Sequence, residues 1–155
     1  MLLPDAATPL EGSPELCFQF LHDNYPANRL YQGTIKFRNH YYQQPSDMND
    51  EEAECAATID SLLQVKFWVR NLERRPDCAF WLQPATDRFY LDFVALLKDR
   101  RCLVVECKGA DRMGTPDTKE KNALGELWEA RSIGCCIFRP AGRTQMQDIV
   151  AHAVQ

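Results

Sequence analysis

The sequence has no apolar run near the ~20 residues that span a bilayer, no Cys-x-x-Cys pair and no excess of basic charge. A net charge of −4 means that no global positive field advertises non-specific binding to polyanions. A site that holds a cation is not excluded, because a bound metal reverses the local sign. Seven cysteines is an odd number, most lie in apolar runs, and they read as small buried hydrophobes in a reducing compartment rather than a disulfide framework. The opening stretch MLLPDAATPLEGSPELC lacks the basic start and continuous apolar core of a signal peptide. Nor is there a phosphate-binding Gly-x4-Gly-Lys-Ser/Thr loop: GADRMGT has Thr115 where the lysine must stand. The three histidines, His22, His40 and His152, are scattered without metal-ligand spacing. These absences point to a cytoplasmic domain without a membrane span or an ATP-driven motor of its own.

What is present is one ordinary domain. Residues 1–27, broken by Pro4, Pro9, Gly12 and Pro14, read as an arm or linker, and 28–155 as a single folded unit. ELCFQFLHD suggests a short helix, and RLYQGTIKFRNHYYQQ has the aromatic and β-branched content of one or two strands. DMNDEEAECAATIDSLL opens with Asn49 and Glu52 at capping-box spacing and should be a helix. VKFWVRNL reads as a half-buried strand with Val65, Phe67 and Val69 inward, and AFWLQ as another short strand. FYLDFVALLKDRRCLVVECKG is a hairpin. DTKEKNALGELWEARS is a helix with Leu124, Leu127 and Trp128 on one stripe, stopped near Gly134. CCIFRP is a buried strand and TQMQDIVAHAV a last helix. The order describes an α/β fold, a mixed β-sheet flanked by helices.

The hairpin raises the functional question, because Asp92, Glu106 and Lys108 interrupt its apolar runs. By strand alternation Glu106 and Lys108 share a face with Cys102 and Val104, and Asp92 shares one with Val94 and Leu96. Loop length decides whether the charges meet. A two-residue loop at Asp99-Arg100 pairs Asp92 with Cys107, whereas a three- or five-residue loop, or one bulge, sets it against Glu106 or Lys108. A site therefore requires the odd loop. Two acids and one lysine leave a surplus negative charge, which a cation-binding site explains better than a stabilising ion pair. Asp92, Glu106 and the Cys107 backbone carbonyl are hard oxygen donors suited to Mg²⁺ or Mn²⁺, and Lys108 would orient a water or stabilise developing negative charge.

The pattern FYLDF…LVVECKG resembles the Asp…Glu-x-Lys signature of the PD-(D/E)XK nucleases. With RLYQGTIKFRNHYY, EEAECAATID, VKFWVRNLERRP, FWLQPATDRFYLDF, LVVECKGADR and KEKNALGELWEARS, the resemblance covers roughly residues 28–140. It is closest to the C-terminal nuclease domain of type III restriction enzyme Res subunits and related helicase-nucleases. It implies a restriction-endonuclease-like fold, a divalent metal, DNA as substrate, and Asp92, Glu106 and Lys108 in catalytic roles. Leu91 stands where the family name leads one to expect proline. Without a motor loop, the chain reads as a free-standing nuclease module, a fragment or a degraded remnant, and a separate ATP-driven motor or modification subunit is an expected partner beside DNA. The alternative is a catalytically silent domain that binds nucleic acid or docks onto such a subunit.

Further residues are placed around this centre. Glu52 falls on the inward stripe of Cys55, Ala56 and Ile59, so a metal-ligand role competes with its capping-box role. Lys121 is a phosphate contact or a side chain snorkelling over its apolar stripe. Arg70, Arg74 and Arg75 are DNA-backbone contacts or a solvated charged loop.

Overall fold

In the computed structural model, residues 25–73, 81–82, 89–107, 116–132, 134 and 136–141 are described. Helix α1 (Asp50–Ser61) leads into strand β1 (Val65–Arg70). Short strands β2 (Trp81–Leu82) and β3 (Phe89–Tyr90) precede β4 (Phe93–Leu97) and β5 (Cys102–Cys107). Helix α2 (Pro116–Arg131) and strand β6 (Cys136–Ala141) follow. The main sheet has the order β1-β4-β5-β6, antiparallel except for the parallel β5–β6 pair, while β2 and β3 form a separate two-stranded sheet. This is a mixed sheet with a helix against each face, the generally α/β arrangement expected from the sequence. No helix among the described residues is long and apolar enough to cross a membrane.

Each face buries its own apolar cluster. On one, Cys55, Ala56 and Ile59 of α1 meet Trp68, Phe93, Ala95, Leu103 and Val105. On the other, Trp128 of α2 meets Phe89, Leu91, Val94, Val104 and Phe138. α1 starts as its sequence dictates: the Asn49 side chain accepts from the Glu52 amide at 2.8 Å, and Glu52 accepts from the Asn49 amide at 2.9 Å. The stripe on α2 differs from expectation. Thr118, Gly125 and Trp128 are buried, Leu124 packs at the margin and Leu127 is 43% exposed. Gly125 sets the helix position, since a Cβ there would lie 2.5 Å from the Phe138 ring. The helix approaches the sheet through a glycine, not a leucine. Gly134, at φ 81°, takes the left-handed conformation that lets the chain turn into β6.

Two further expectations are corrected. Residues 28–44 form no strand; they contribute the isolated bridges Leu30–Ser46 and His40–Trp68. The second is a single parallel bridge along the outer side of β1, where the Tyr41 amide donates to the Trp68 carbonyl and the Trp68 amide to the Asn39 carbonyl. β1 also departs from the expected alternation: Val65 and Val69 are buried as expected, but so are Trp68 and Arg70. A register shift between Val65 and Phe67 breaks the alternation. Trp68 and Arg70 consequently turn inward with Val65, and Phe67 is only half-buried. The suggested helix at ELCFQFLHD, the segment 109–115 and the last helix lie outside the described residues. Tyr25, within the stretch read as an arm, packs on the domain: its hydroxyl donates to the Arg70 carbonyl at 2.6 Å.

Candidate active site

The β4–β5 hairpin has the odd loop. Leu97 donates its amide to the Arg101 carbonyl at 2.9 Å, leaving Lys98, Asp99 and Arg100 as a three-residue turn. Arg100 adopts φ 74°, the left-handed conformation that commonly closes such a loop. Pairing then runs Leu96–Cys102, Ala95–Leu103, Val94–Val104 and Phe93–Val105. One step further sets Asp92 level with Glu106.

At that step the two strands part. Phe89 and Leu91 pack towards α2, whereas Phe93, Ala95 and Leu97 pack towards α1, so the alternation slips by one at Asp92. The chain bends there as it passes from the β2–β3 sheet into the main one. Towards β1 the ladder continues, with the Asn71 amide donating to the Asp92 carbonyl at 2.8 Å. Towards β5 the carboxylate takes over from the backbone, and Oδ2 of Asp92 accepts from the Cys107 amide at 2.7 Å. β5 itself runs on to Cys107, paired with β6. The result is a fork between β4 and β5 with Asp92 at its root.

The slip puts the Asp92 carboxylate on the α1 side, not on the Val94 and Leu96 face expected from simple alternation. There it meets Arg70, whose Nη1 donates to Oδ1 at 2.8 Å. Nη2 of the same guanidinium donates to Oε2 of Glu52 at 3.1 Å. Arg70 is only 9% exposed and lies over the Phe93 ring, 5.4 Å from its centroid. Its backbone is held as well. The amide donates to Nε2 of His40 at 3.0 Å, and in the side chain Nε donates to the Asp47 carbonyl at 3.4 Å. Arg70, expected at the DNA backbone, is here the centre of a buried Glu52–Arg70–Asp92 cluster. A buried cation without partners would be very costly, and these two carboxylates are its partners.

Electrostatics follow from this packing. Burial pulls Arg70 down, but Asp92 and Glu52 outweigh it and hold the guanidinium above its usual range. Burial pushes Glu52 up, opposed by Arg70 and by the Asn49 amide. Burial lowers His40 to about 4. Its tautomer fits, since Nε2 accepts from Arg70 and Nδ1 must then donate to the Tyr42 carbonyl at 2.9 Å. The Cys55 thiol, hydrogen-bonded to Cys107 and buried, is pushed well up.

The other expected residues fall as follows. Glu106 is 7% exposed and stands level with Asp92 on the neighbouring strand. Val104 packs towards α2 and Val105 towards α1, so Glu106 faces α2 and Cys107 faces α1; the expected meeting of Asp92 with Glu106 is therefore corrected, because the slip at Asp92 turns its carboxylate to the opposite side of the sheet. Lys121, on α2, pairs with Asp117 at 3.0 Å and lies 5.2 Å from the Phe89 centroid. Lys108, Arg74 and Arg75 lie outside the described residues. The structure thus brings together Glu52, Arg70, Asp92 and the Cys107 amide. The positioning roles of Arg70, His40 and Tyr25 were missed in the sequence. No local signal in the sequence marks Arg70 as buried; in the structure Trp68, Val69 and Arg70 are buried in succession, which a strict period of two does not give.

Among the described residues no group of three or more His, Cys, Asp and Glu side chains could hold a metal ion. A hydrated Mg²⁺ needs only one or two carboxylates from the protein, and the donor chemistry here meets that need. Two carboxylates already enclose a cationic stand-in, the Arg70 guanidinium, and the cluster keeps a net negative charge. Asp92, Glu52 and the Cys107 carbonyl are the oxygens of the right type. Compared with known proteins, the chain matches no family model, no curated protein and no solved structure.

Proposed function

We propose that this domain is a metal-dependent DNA endonuclease of restriction-endonuclease-like fold. The observation that carries the reading is the fork at Asp92. A three-residue loop sets Asp92 beside the end of β5, where it meets the Cys107 amide and is joined to Glu52 through Arg70, and Lys108 is the next residue after Cys107 in the sequence. Asp92 and Glu52 hold Mg²⁺ or Mn²⁺, with the Cys107 carbonyl as a further oxygen donor, and Glu106, on the α2 side of β5, is not a ligand. When bound, the ion lowers the pKa of a water and offsets negative charge on the phosphoryl group. Lys108 orients the attacking water and stabilises the charge that develops at the scissile phosphate. Lys121 on α2, with Arg74 and Arg75, contacts the DNA backbone, without reading sequence. A separate motor or modification subunit brings the domain to its site.

The test is cleavage of supercoiled and linear DNA in Mg²⁺ or Mn²⁺, with Lys108→Ala prepared in parallel. Metal-dependent nicking that disappears in Lys108→Ala supports the reading. Cleavage that survives the substitution sinks the assignment of Lys108. One observation favours a second reading, a silent domain that docks onto a motor: Arg70 already neutralises part of the carboxylate charge. Absence of cleavage, together with absence of Mn²⁺ binding, would select it.

A further inference from the structure

Arg70 is held at both ends. Its backbone amide and carbonyl are tied to His40 and Tyr25. Its guanidinium is held by Glu52 and Asp92, the carboxylates a divalent ion would need, and more weakly by the Asp47 and Asp92 carbonyls at 3.4 and 3.3 Å. Beside it opens a cleft of about 230 Å³ that Arg70 shares with Asn28, Asp47, Asn71 and Glu73. Asp47 and Glu73, both acidic, line that cleft, so it is where a displaced guanidinium would meet residues of opposite charge.

We propose that Arg70 is an internal counter-cation that gives up Glu52 and Asp92 when a divalent ion binds, swings into the adjacent cleft, and thereby sets the metal affinity of the site. The inference rests on the metal-dependent reading above. With Arg70 in place the cluster of two carboxylates and one guanidinium carries −1, and a divalent ion would take it to +1. With Arg70 withdrawn, the ion and the two carboxylates are neutral. Like charges sharing a poorly hydrated site repel strongly, so withdrawal is the low-energy route. In the metal-free state Arg70 does the opposite service, keeping Glu52 and Asp92 from facing each other uncompensated.

The experiment is Mn²⁺ titration of the full chain followed by electron paramagnetic resonance of free Mn²⁺, with Arg70→Gln and Asp92→Asn alongside the unsubstituted protein. Arg70→Gln is expected to bind Mn²⁺ at least tenfold more tightly, and Asp92→Asn at least tenfold more weakly. Binding by Arg70→Gln that equals or falls below that of the unsubstituted protein overturns the proposal while leaving the metal reading intact. If none of the proteins binds Mn²⁺, the metal reading fails and this one with it. Should Arg70→Gln not fold, the unsubstituted protein still decides. In a Mg²⁺ titration the Arg70 Nε–H resonance, assigned by its loss in Arg70→Lys, must move over the same concentrations as the Cys107 amide. An Arg70 signal that stays fixed while the Cys107 amide shifts overturns the proposal.

Discussion

Asp92→Asn is the substitution by which a catalytic aspartate is commonly silenced without harm to the fold, and here it should be harmful. Both carboxylate oxygens of Asp92 accept from obligate donors, Oδ1 from Arg70 at 2.8 Å and Oδ2 from the Cys107 amide at 2.7 Å. Neither donor can accept a hydrogen bond. Asparagine offers one oxygen, so its amide nitrogen must face either the guanidinium or the backbone amide. One buried donor is then left opposite another donor, and Arg70 loses one of its two counter-charges. Leaving a buried donor unsatisfied costs about 1–3 kcal/mol, and breaking a buried ion pair reaches about 3–5 kcal/mol. Arg70 keeps Glu52 and the fork is partly open, so about 2–4 kcal/mol is the expected loss. For a domain of this size that lowers Tm by roughly 5–15 °C.

The assay is urea denaturation in chelator, so that metal binding does not contribute, with Asp99→Asn as the reference. Asp99 pairs with Arg101 at 2.7 Å, but its side chain is 53% exposed, and an exposed pair of this kind contributes at most about 1 kcal/mol. If Asp92→Asn unfolds at the same urea concentration as Asp99→Asn, the cluster is not the clamp described. An inactive Asp92→Asn protein would then report on chemistry alone.

Other consequences can be measured independently. Gly125→Ala should destabilise by about 1–3 kcal/mol despite alanine's better helix propensity, because its Cβ would meet the Phe138 ring; a rise in Tm would mean that α2 can lift without cost. Arg100→Gly should raise stability by about 0.5–1 kcal/mol, because φ 74° strains a residue with a side chain, and an unchanged or lower urea midpoint would argue against the left-handed loop. His40, near 6.5 when unfolded and held at about 4 when folded, binds its proton more readily in the unfolded chain. Its contribution is therefore complete above about pH 7 and is lost as pH falls from 6.5 towards 4, by roughly 3 kcal/mol in all. Stability measured against pH should flatten across that window in His40→Gln; an identical slope in both proteins would refute the assignment.

Much of the fold could be read because local signals agreed with one another. The capping box at Asn49 and Glu52, the charged turn between two apolar strands and the glycine after α2 each correspond to an observed feature. What could not be read was phase. The shift after Val65 and the slip at Asp92 each move side chains to the opposite face. Neither has a glycine or proline at the break to announce it. Both events bear on the same cluster. The first turns Arg70 inward and the second turns Asp92 to meet it, so two departures from alternation are correlated through one ion pair. Alternation applied strand by strand cannot find such a pair, since each strand alone looks regular. A buried arginine needs a carboxylate, and searching the neighbouring strand for one would have exposed both slips.

Glu52 shows why competing roles read from sequence need not exclude each other. Capping and site membership appeared to demand the same carboxylate. In the fold Oε2 accepts from the Asn49 amide at 2.9 Å and from Arg70 at 3.1 Å, and Oε1 stands outside both contacts. A carboxylate has about four lone-pair positions, so the cap uses one and the guanidinium another. The cap also fixes where the group can be: anchored to the first turn of α1, Glu52 cannot follow Arg70 if the arginine moves. The helix N-terminus therefore supplies the stationary anion that the proposed exchange of Arg70 for a divalent ion requires. If Arg70 leaves as proposed, that asymmetry distinguishes this cluster from an ion pair that only holds the fold together.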